Sequence, residues 1–510
     1  MNMKEIIVMV GIALTATFAI NYFFMGKRPV EDTHIKAGQG FVAPLSGQIV
    51  KPLRLEVDFL TNEHKPAPVI TELATSYATL LFSSEGAILE KLTFKEHVQT
   101  RPALMSTIVP SDTKERTEGA FLVALQEFTP YYYQLIDKKE TEFTHELTYI
   151  TSFDRGVIEK KFTIAKQIHK IDLTVTITPK SGVKDLEPRI LYPSPYMPEI
   201  AKYDVISAVV SNEQGTVKKI AKAKLDAHQG WFAPTLFGTE NKYFIHSLVQ
   251  DSGKFVQRAY YKVICNDAIS ILEGPVVSQS ASWTLSFYMG PKSEEAIAQV
   301  DKRLEDTIEY SGILAPIARV LLAILIFLNG YLHNYGLAII ALTLLIKLVL
   351  WPFTLRGTKD LKKRADYQKK LAYIQQKYKH DPEQLKHERD ELVRKHGMPG
   401  LAGCLPLLLQ LPIFLALQKI LSSSIELYQA PFLWIPDLSA ADPYYILPLF
   451  VTIAMFANTL WAEPSQRLSM LAMGLVLGAF AVNFAAGLAL YLVVNTLLQS
   501  AQTAFTGKVA

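Results

Sequence analysis

Leu342-Thr343-Leu344-Leu345-Ile346-Lys347-Leu348-Val349-Leu350-Trp351-Pro352-Phe353-Thr354-Leu355-Arg356 places one lysine inside a stretch otherwise apolar enough to lie in a membrane. A charge at the centre of a bilayer costs roughly 3 kcal/mol on insertion scales, so an ionisable residue at that depth is a candidate functional group. A span from Tyr335 to Phe353 ends at Trp351-Pro352, an aromatic at the expected interface, with Arg356 at the headgroup level. Lys347 lies nine residues before Arg356. That is about 13 Å along a helix, near the middle of a hydrocarbon core of about 30 Å. Thr343 sits one turn back on the same face, so Thr343 and Lys347 form a polar stripe. The alternative is a lysine that snorkels to the interface or is neutralised within a bundle.

Downstream, Arg356–His396 carries 13 Lys/Arg against 7 Asp/Glu, or +6, so the remainder of a chain of net charge +4 sums to −2. Leu371, Ile374 and Tyr378 supply the first arm of a helical hairpin, and Leu385 and Leu392 the seam of the second. The turn is His380-Asp381-Pro382-Glu383, with aspartate as N-cap and proline at the first helical position. Basic segments flanking a span face the cytoplasm, which orients everything else. Three hydrophobic blocks follow, giving crossings at about 405–424, 444–461, 468–484 and 488–504, the last two separated by a break at Ala485-Ala486-Gly487.

Upstream, the character changes. Ile6–Met25 is apolar and long enough to span, which predicts an N-terminal anchor; a cleaved signal peptide is the alternative. Lys36–Pro52 reads as linker. Beyond it, Ile171, Leu173, Val175 and Ile177 alternate with polar residues, as do Trp283, Leu285 and Phe287. Period-two alternation over many short segments predicts an all-β sandwich. The aromatic runs at Tyr131-Tyr132-Tyr133 and Gly230-Trp231-Phe232 read as core packing or as the lining of a groove. Lys292–Glu309 switches to helical spacing, with Ile297, Val300, Leu304 and Ile308 on one face of a connector. Ile313–Asn329 is expected to lie in the interface, because a crossing there would put the basic hairpin and the β domain on one side.

Composition agrees with soluble and embedded parts in series: 510 residues, 49% hydrophobic and a mean hydropathy of +0.16. Two cysteines, Cys265 and Cys404, provide no disulfide framework. There is no phosphate loop, and His387-Glu388-Arg389-Asp390-Glu391 lacks the second histidine of a zinc protease. No catalytic residue, metal or cofactor is expected.

Pro399-Gly400-Leu401-Ala402-Gly403-Cys404-Leu405-Pro406-Leu407-Leu408-Leu409-Gln410-Leu411-Pro412-Ile413-Phe414-Leu415-Ala416-Leu417 closely resembles the third-span signature of YidC-type membrane protein insertases. Glu426–Ser439 and Asp442–Pro448 resemble that family too, and the order of anchor, large β domain and five-span core matches its Gram-negative form. The resemblance implies a multi-domain chain: anchor 1–26, linker 27–52, periplasmic β sandwich 53–291, connector and interfacial helices 292–330, first core span 331–355, cytoplasmic hairpin 356–398, four further spans 399–505 and tail 506–510. It implies a polar groove, open to cytoplasm and lipid, that receives the hydrophilic tails of nascent membrane proteins in the bacterial inner membrane. Lys347 stands where the family usually has arginine; Thr343, Gln410, Asn495 and Tyr491 would line the groove.

Lysine for arginine keeps the charge and loses the planar fork. Tyr491 is followed by Leu492 where the family often pairs tyrosines, and Lys419 adds a charge near the outer end of its span. The tail after Thr506 is only Gly-Lys-Val-Ala, so contact with a ribosome is expected to rest on hairpin residues Lys362, Lys363, Arg364, Lys369 and Lys370. The expected partners are nascent chains, the lipid bilayer, and the Sec translocon and ribosome, around a monomer without nucleic-acid sequence preference. The competing function is a small-solute secondary transporter with Lys347 in its binding site; five unequal spans without repeated halves fit it poorly.

Overall fold

The computed structural model describes residues 58–59, 67–95, 105–108, 119–125, 128–129, 132–183, 186–196, 206–211, 217–225, 230–264, 267–308, 314–396, 405–459 and 464–508. The predicted anchor and linker lie outside the described residues. The chain forms two compact units, one ending at Glu309 and rich in strands, the other starting at Tyr310 and helical.

The strand unit contains a nine-stranded, a seven-stranded and a four-stranded sheet among the described residues. The nine-stranded sheet includes the antiparallel run Thr144–Phe153, Gly156–Ala165, Lys170–Pro179 and Ala281–Pro291. Alternation dictates its two faces. Ile171, Leu173, Val175 and Ile177 are buried, as are their register partners Trp283, Leu285 and Phe287. On the opposite face, hydroxyls pair across the strands, Thr174 with Thr284 and Thr176 with Ser282, each at 2.9 Å.

The inward face meets the seven-stranded sheet. Tyr192 on Pro188–Pro193 donates to the Phe237 carbonyl at 2.6 Å, Tyr261 donates to the Gly238 carbonyl at 2.7 Å, and Phe121 meets Phe287 edge-on at 4.8 Å. The four-stranded sheet, Ile70–Ala74 to Met105–Ile108, is an addition that alternation alone did not reveal. Tyr133 and Trp231 are buried, so both aromatic runs contribute to the core.

Lys160 takes an inward position between Ile158 and Phe162 and is fully buried. Its ammonium donates to the carbonyls of Gly86 (2.7 Å), Ala87 (3.1 Å) and Phe121 (2.8 Å) and lies 4.9 Å from the centre of the Tyr133 ring. All three acceptors belong to residues with left-handed backbone, φ 65°, 45° and 75°. Three N–H donors therefore meet three carbonyls that no strand ladder uses.

His246 is also fully buried, and its Nδ1 donates to the Pro193 carbonyl at 3.0 Å. Burial lowers its pKa from 6.5 to about 4. The unfolded chain takes up a proton near pH 6.5 that the folded chain refuses until about pH 4. Stability is therefore full above pH 6.5 and falls by about 3 kcal/mol as the pH drops to 4. Urea unfolding at pH 7 and pH 4.5 is expected to show the loss, with the slope reduced in His246→Gln; parallel pH profiles for the two would refute this.

The connector differs from the single helix its spacing predicts. A short helix over Glu294–Ala298, capped by Ser293, is followed by a 3-10 turn over Lys302–Thr307, capped by Asp301. The Asp301 carboxylate accepts from the Arg303 backbone N–H at 2.9 Å and so restarts the chain in a new direction. Ile297, Leu304 and Ile308 are buried, as the pattern requires, whereas Val300, assigned to the same face, is half-buried. Arg303 donates to the Val249 carbonyl, and Glu240 bridges Lys219 (2.9 Å) and Lys292 (3.2 Å), so the connector is built into the β domain.

The helical unit contains α1 (Ala315–Leu332), α2 (Tyr335–Lys377), α3 (Pro382–His396), α4 (Leu405–Ser423), α5 (Ile446–Thr459), α6 (Pro464–Ala481) and α7 (Ala486–Lys508). α1 and the Tyr335–Pro352 part of α2 are long and apolar enough to cross a membrane. The first core span and the first hairpin arm form one helix of 43 residues, about 64 Å long. Pro352 removes one backbone donor without ending it. Asp381 caps α3 as predicted, its carboxylate accepting from Gln384 N–H at 3.1 Å. The break between the last two helices falls at 482–485, so Ala486 and Gly487 already belong to α7. Their N–H groups, free of helical partners, donate to Ala440 (2.6 Å) and Leu438 (2.8 Å).

Candidate substrate groove

The segment after α4 closes one end of the bundle. The Asp442 carboxylate accepts from Trp434 Nε1 (3.2 Å) and from the backbone N–H of Tyr444 (3.1 Å) and Leu447 (2.7 Å), which caps the start of α5. The Phe432 ring lies on Gly336 so closely that a Cβ there would come within 2.0 Å of it. Together with the carbonyls of Leu438 and Ala440 on α7, the segment ties down the starts of α2, α5 and α7.

Away from that end, α2, α4 and α7 pack against one another in pairs. Lys347 is half-buried, and its ammonium donates to Gln499 Oε1 on α7 at 2.8 Å. Gln410 on α4 donates to the Tyr491 hydroxyl, also on α7. Tyr491 is buried, while Gln410 and Asn495 are half-buried. Tyr491, Asn495 and Gln499 recur every four residues and so form one stripe. The Gln410 and Lys347 contacts meet it eight residues apart, about 12 Å along the helix.

Beside Lys347, Leu344, Leu348 and Val349 are exposed apolar side chains. The ammonium thus lies at the border between polar stripe and apolar outer surface. Residues 310–359 and helices α4 to α7 contain no aspartate or glutamate at all. A cation without a counter-charge in those segments leaves this part of the helical unit net positive.

All five sequence-predicted groove residues, Lys347, Thr343, Gln410, Asn495 and Tyr491, lie on the three helices that pack together. Thr343 is fully buried and donates its hydroxyl to the Ile339 carbonyl at 2.7 Å, so its proton is used within α2. Gln499 was not among the predicted residues. The four-residue step from Tyr491 through Asn495 leads to it. Lys362, Lys363, Arg364 and Lys369 have their backbone in α2, with side chains outside the described residues; Lys370 is exposed. No group of His, Cys, Asp or Glu among the described residues could hold a metal ion.

Residues 70–324 match the family described as YidC periplasmic domain, and residues 327–510 the family described as 60Kd inner membrane protein. A membrane protein insertase YidC of Geobacter sp. (strain M21) is 30% identical over 463 residues, covering 85% of this chain and 84% of the relative. The insertase YidC of Geotalea daltonii is 28% identical over 538 residues and covers 99% of each chain. A crystal structure of an active YidC insertase with its first transmembrane domain resolved aligns over 86% of this chain and 93% of its own, with 18% identity and a TM-score of 0.38. The two family matches and the sequence relatives carry the assignment without help from that structural likeness: the chain belongs to the YidC family of membrane protein insertases.

Proposed function

We propose that this inner-membrane insertase admits the hydrophilic tail of a nascent membrane protein between α2, α4 and α7, where Lys347 attracts its acidic groups. The carrying observation is a half-buried lysine in mid-helix that adjoins exposed apolar residues, with no carboxylate in residues 310–359 or in α4 to α7. Gln410, Asn495 and Tyr491 offer the tail hydrogen bonds in place of water, and the apolar segment leaves past Leu344, Leu348 and Val349 into lipid. Thr343, fully buried and bonded to the Ile339 carbonyl, stands behind this lining and packs α2.

In this reading the chain acts as a monomer in six crossings. The anchor is retained, the N-terminus is cytoplasmic, α1 lies in the interface and the β domain is periplasmic. The basic hairpin, with Lys362, Lys363, Arg364, Lys369 and Lys370, meets the ribosome and anionic lipid, and the Sec translocon is a further partner. The small-solute transporter finds no support among the relatives.

Photo-crosslinking from positions 410 and 495 to ribosome-bound nascent chains tests the proposal. Both are expected to capture the hydrophilic tail, whereas position 475, an exposed leucine on α6, is expected to capture none. Equal capture at all three positions would overturn it.

A further inference from the structure

We propose that Gln499 is the positioning residue of the groove: its amide oxygen holds the Lys347 ammonium within the bundle without cancelling its charge, and gives it up to a substrate carboxylate. This rests on the role proposed for Lys347.

A half-buried ammonium needs acceptors, because removing it from water without them is costly. Three kinds of neighbour could serve. A carboxylate would satisfy the lysine but neutralise it, and an entering carboxylate would then have to displace an equal. An apolar neighbour would leave a long flexible side chain beside exposed Leu348 and Val349, free to extend along the helix to the headgroups. An amide oxygen lies between these extremes. It accepts a hydrogen bond from the ammonium, at 2.8 Å here, and adds no net charge. A substrate carboxylate makes a charge-assisted bond with the same ammonium, stronger than that to the amide, so the exchange runs towards substrate.

The absence of aspartate and glutamate from residues 310–359 and from α4 to α7 means that no acidic residue of these segments competes for the position. Gln499 lies on the stripe that holds Tyr491 and Asn495 and that continues at the same spacing to Thr503, so a tail following uncharged polar groups along α7 meets the ammonium.

The competing account makes Gln499 a plain tie between α2 and α7, as polar pairs are in many membrane bundles. The two separate by the charge of the tail. Full-length protein in proteoliposomes is given a single-span substrate whose translocated tail carries either three aspartates or three asparagines, and the ratio of acidic-tail to neutral-tail insertion is measured. Gln499→Glu, which pairs permanently with Lys347, is expected to lower that ratio about tenfold, and Gln499→Met about threefold.

A Gln499→Glu that lowers insertion of both tails equally, or neither, overturns the inference in favour of the tie. Should Gln499→Glu not accumulate, an unchanged ratio in Gln499→Met overturns it as well. Lys347→Met separates the two layers: an unchanged ratio there defeats the groove cation itself. A lowered ratio in Lys347→Met beside unchanged ratios in the Gln499 variants defeats only the role of Gln499.

Discussion

Lys347→Glu is expected to lower insertion of acidic-tailed substrates at least tenfold in a depletion strain, with Lys347→Ala intermediate and Lys347→Arg close to the parent. At an effective dielectric near 20, a lysine and a carboxylate at 4 Å attract by about 4 kcal/mol before desolvation. The cost of placing one charge in the bilayer is about 3 kcal/mol on insertion scales. The two are comparable, so one cation is enough to decide whether an acidic tail enters. Reversing its sign replaces attraction by repulsion of similar size, and no other basic residue lies within ten positions of Lys347 except Arg356 at the end of the span. Alanine removes the attraction alone. Arginine keeps the charge and can still donate to Gln499, whose oxygen lies 2.8 Å from the ammonium. Full activity of Lys347→Glu towards acidic tails would defeat the electrostatic account.

Local pattern carries the parts of this molecule that are local. The alternation at Ile171 to Ile177 and at Trp283 to Phe287 states which side chains face the core, because successive residues of a strand point to opposite faces. The Asp381 cap and the hairpin it starts are set within four residues. The connector shows the limit: Ile297, Leu304 and Ile308 are buried as their spacing predicts, but Val300 is half-buried, and two capping residues, Ser293 and Asp301, divide the segment into two pieces. A capping side chain competes with helix continuation, and periodicity does not register that competition. Pro352 shows the converse, a strong breaker that the helix absorbs.

Long-range partnership is not written in local pattern. Gln499 lies 152 residues from Lys347, and a glutamine late in an apolar helix carries no mark of the partner it meets. The four-residue step from Tyr491 to Asn495 leads to Gln499 but continues to Thr503, so spacing alone singles out no partner for the lysine. Thr343 shares a face with Lys347, as predicted, yet its hydroxyl turns back onto Ile339. A short side chain on a helix can satisfy itself on the preceding turn, which a helical wheel does not show. Lys160 is the strongest case. Alternation along Gly156–Ala165 puts it on the inward face with Ile158 and Phe162, but a lone lysine reads as solvated until three carbonyls 39 to 74 residues away are seen to surround it.

Lys160→Met is expected to destabilise the β domain by about 2–4 kcal/mol at neutral pH, and two opposing terms decide this. Removing a buried charge relieves its desolvation, and well-packed apolar replacements of buried ions are often neutral or better. Against that, the substitution strands the carbonyls of Gly86, Ala87 and Phe121, at about 1–3 kcal/mol for each buried group left without a partner. Ala87 and Phe121 are left-handed without being glycine, a conformation that persists only where the surroundings enforce it. Without the ammonium their carbonyls lose the contact that holds them, so loss outweighs relief. Burial also depresses the pKa of Lys160 well below the usual lysine value of 10.5. Between its folded pKa and 10.5 the unfolded chain binds more protons than the folded one, so the parent gains stability as the pH rises through that window. The methionine variant has no such gain. Urea unfolding of both proteins at pH 7 and pH 9.5 is therefore expected to show a difference that widens with pH. A variant as stable as the parent would mean that relief of the buried charge dominates, and a difference independent of pH would show that Lys160 keeps an ordinary affinity for its proton.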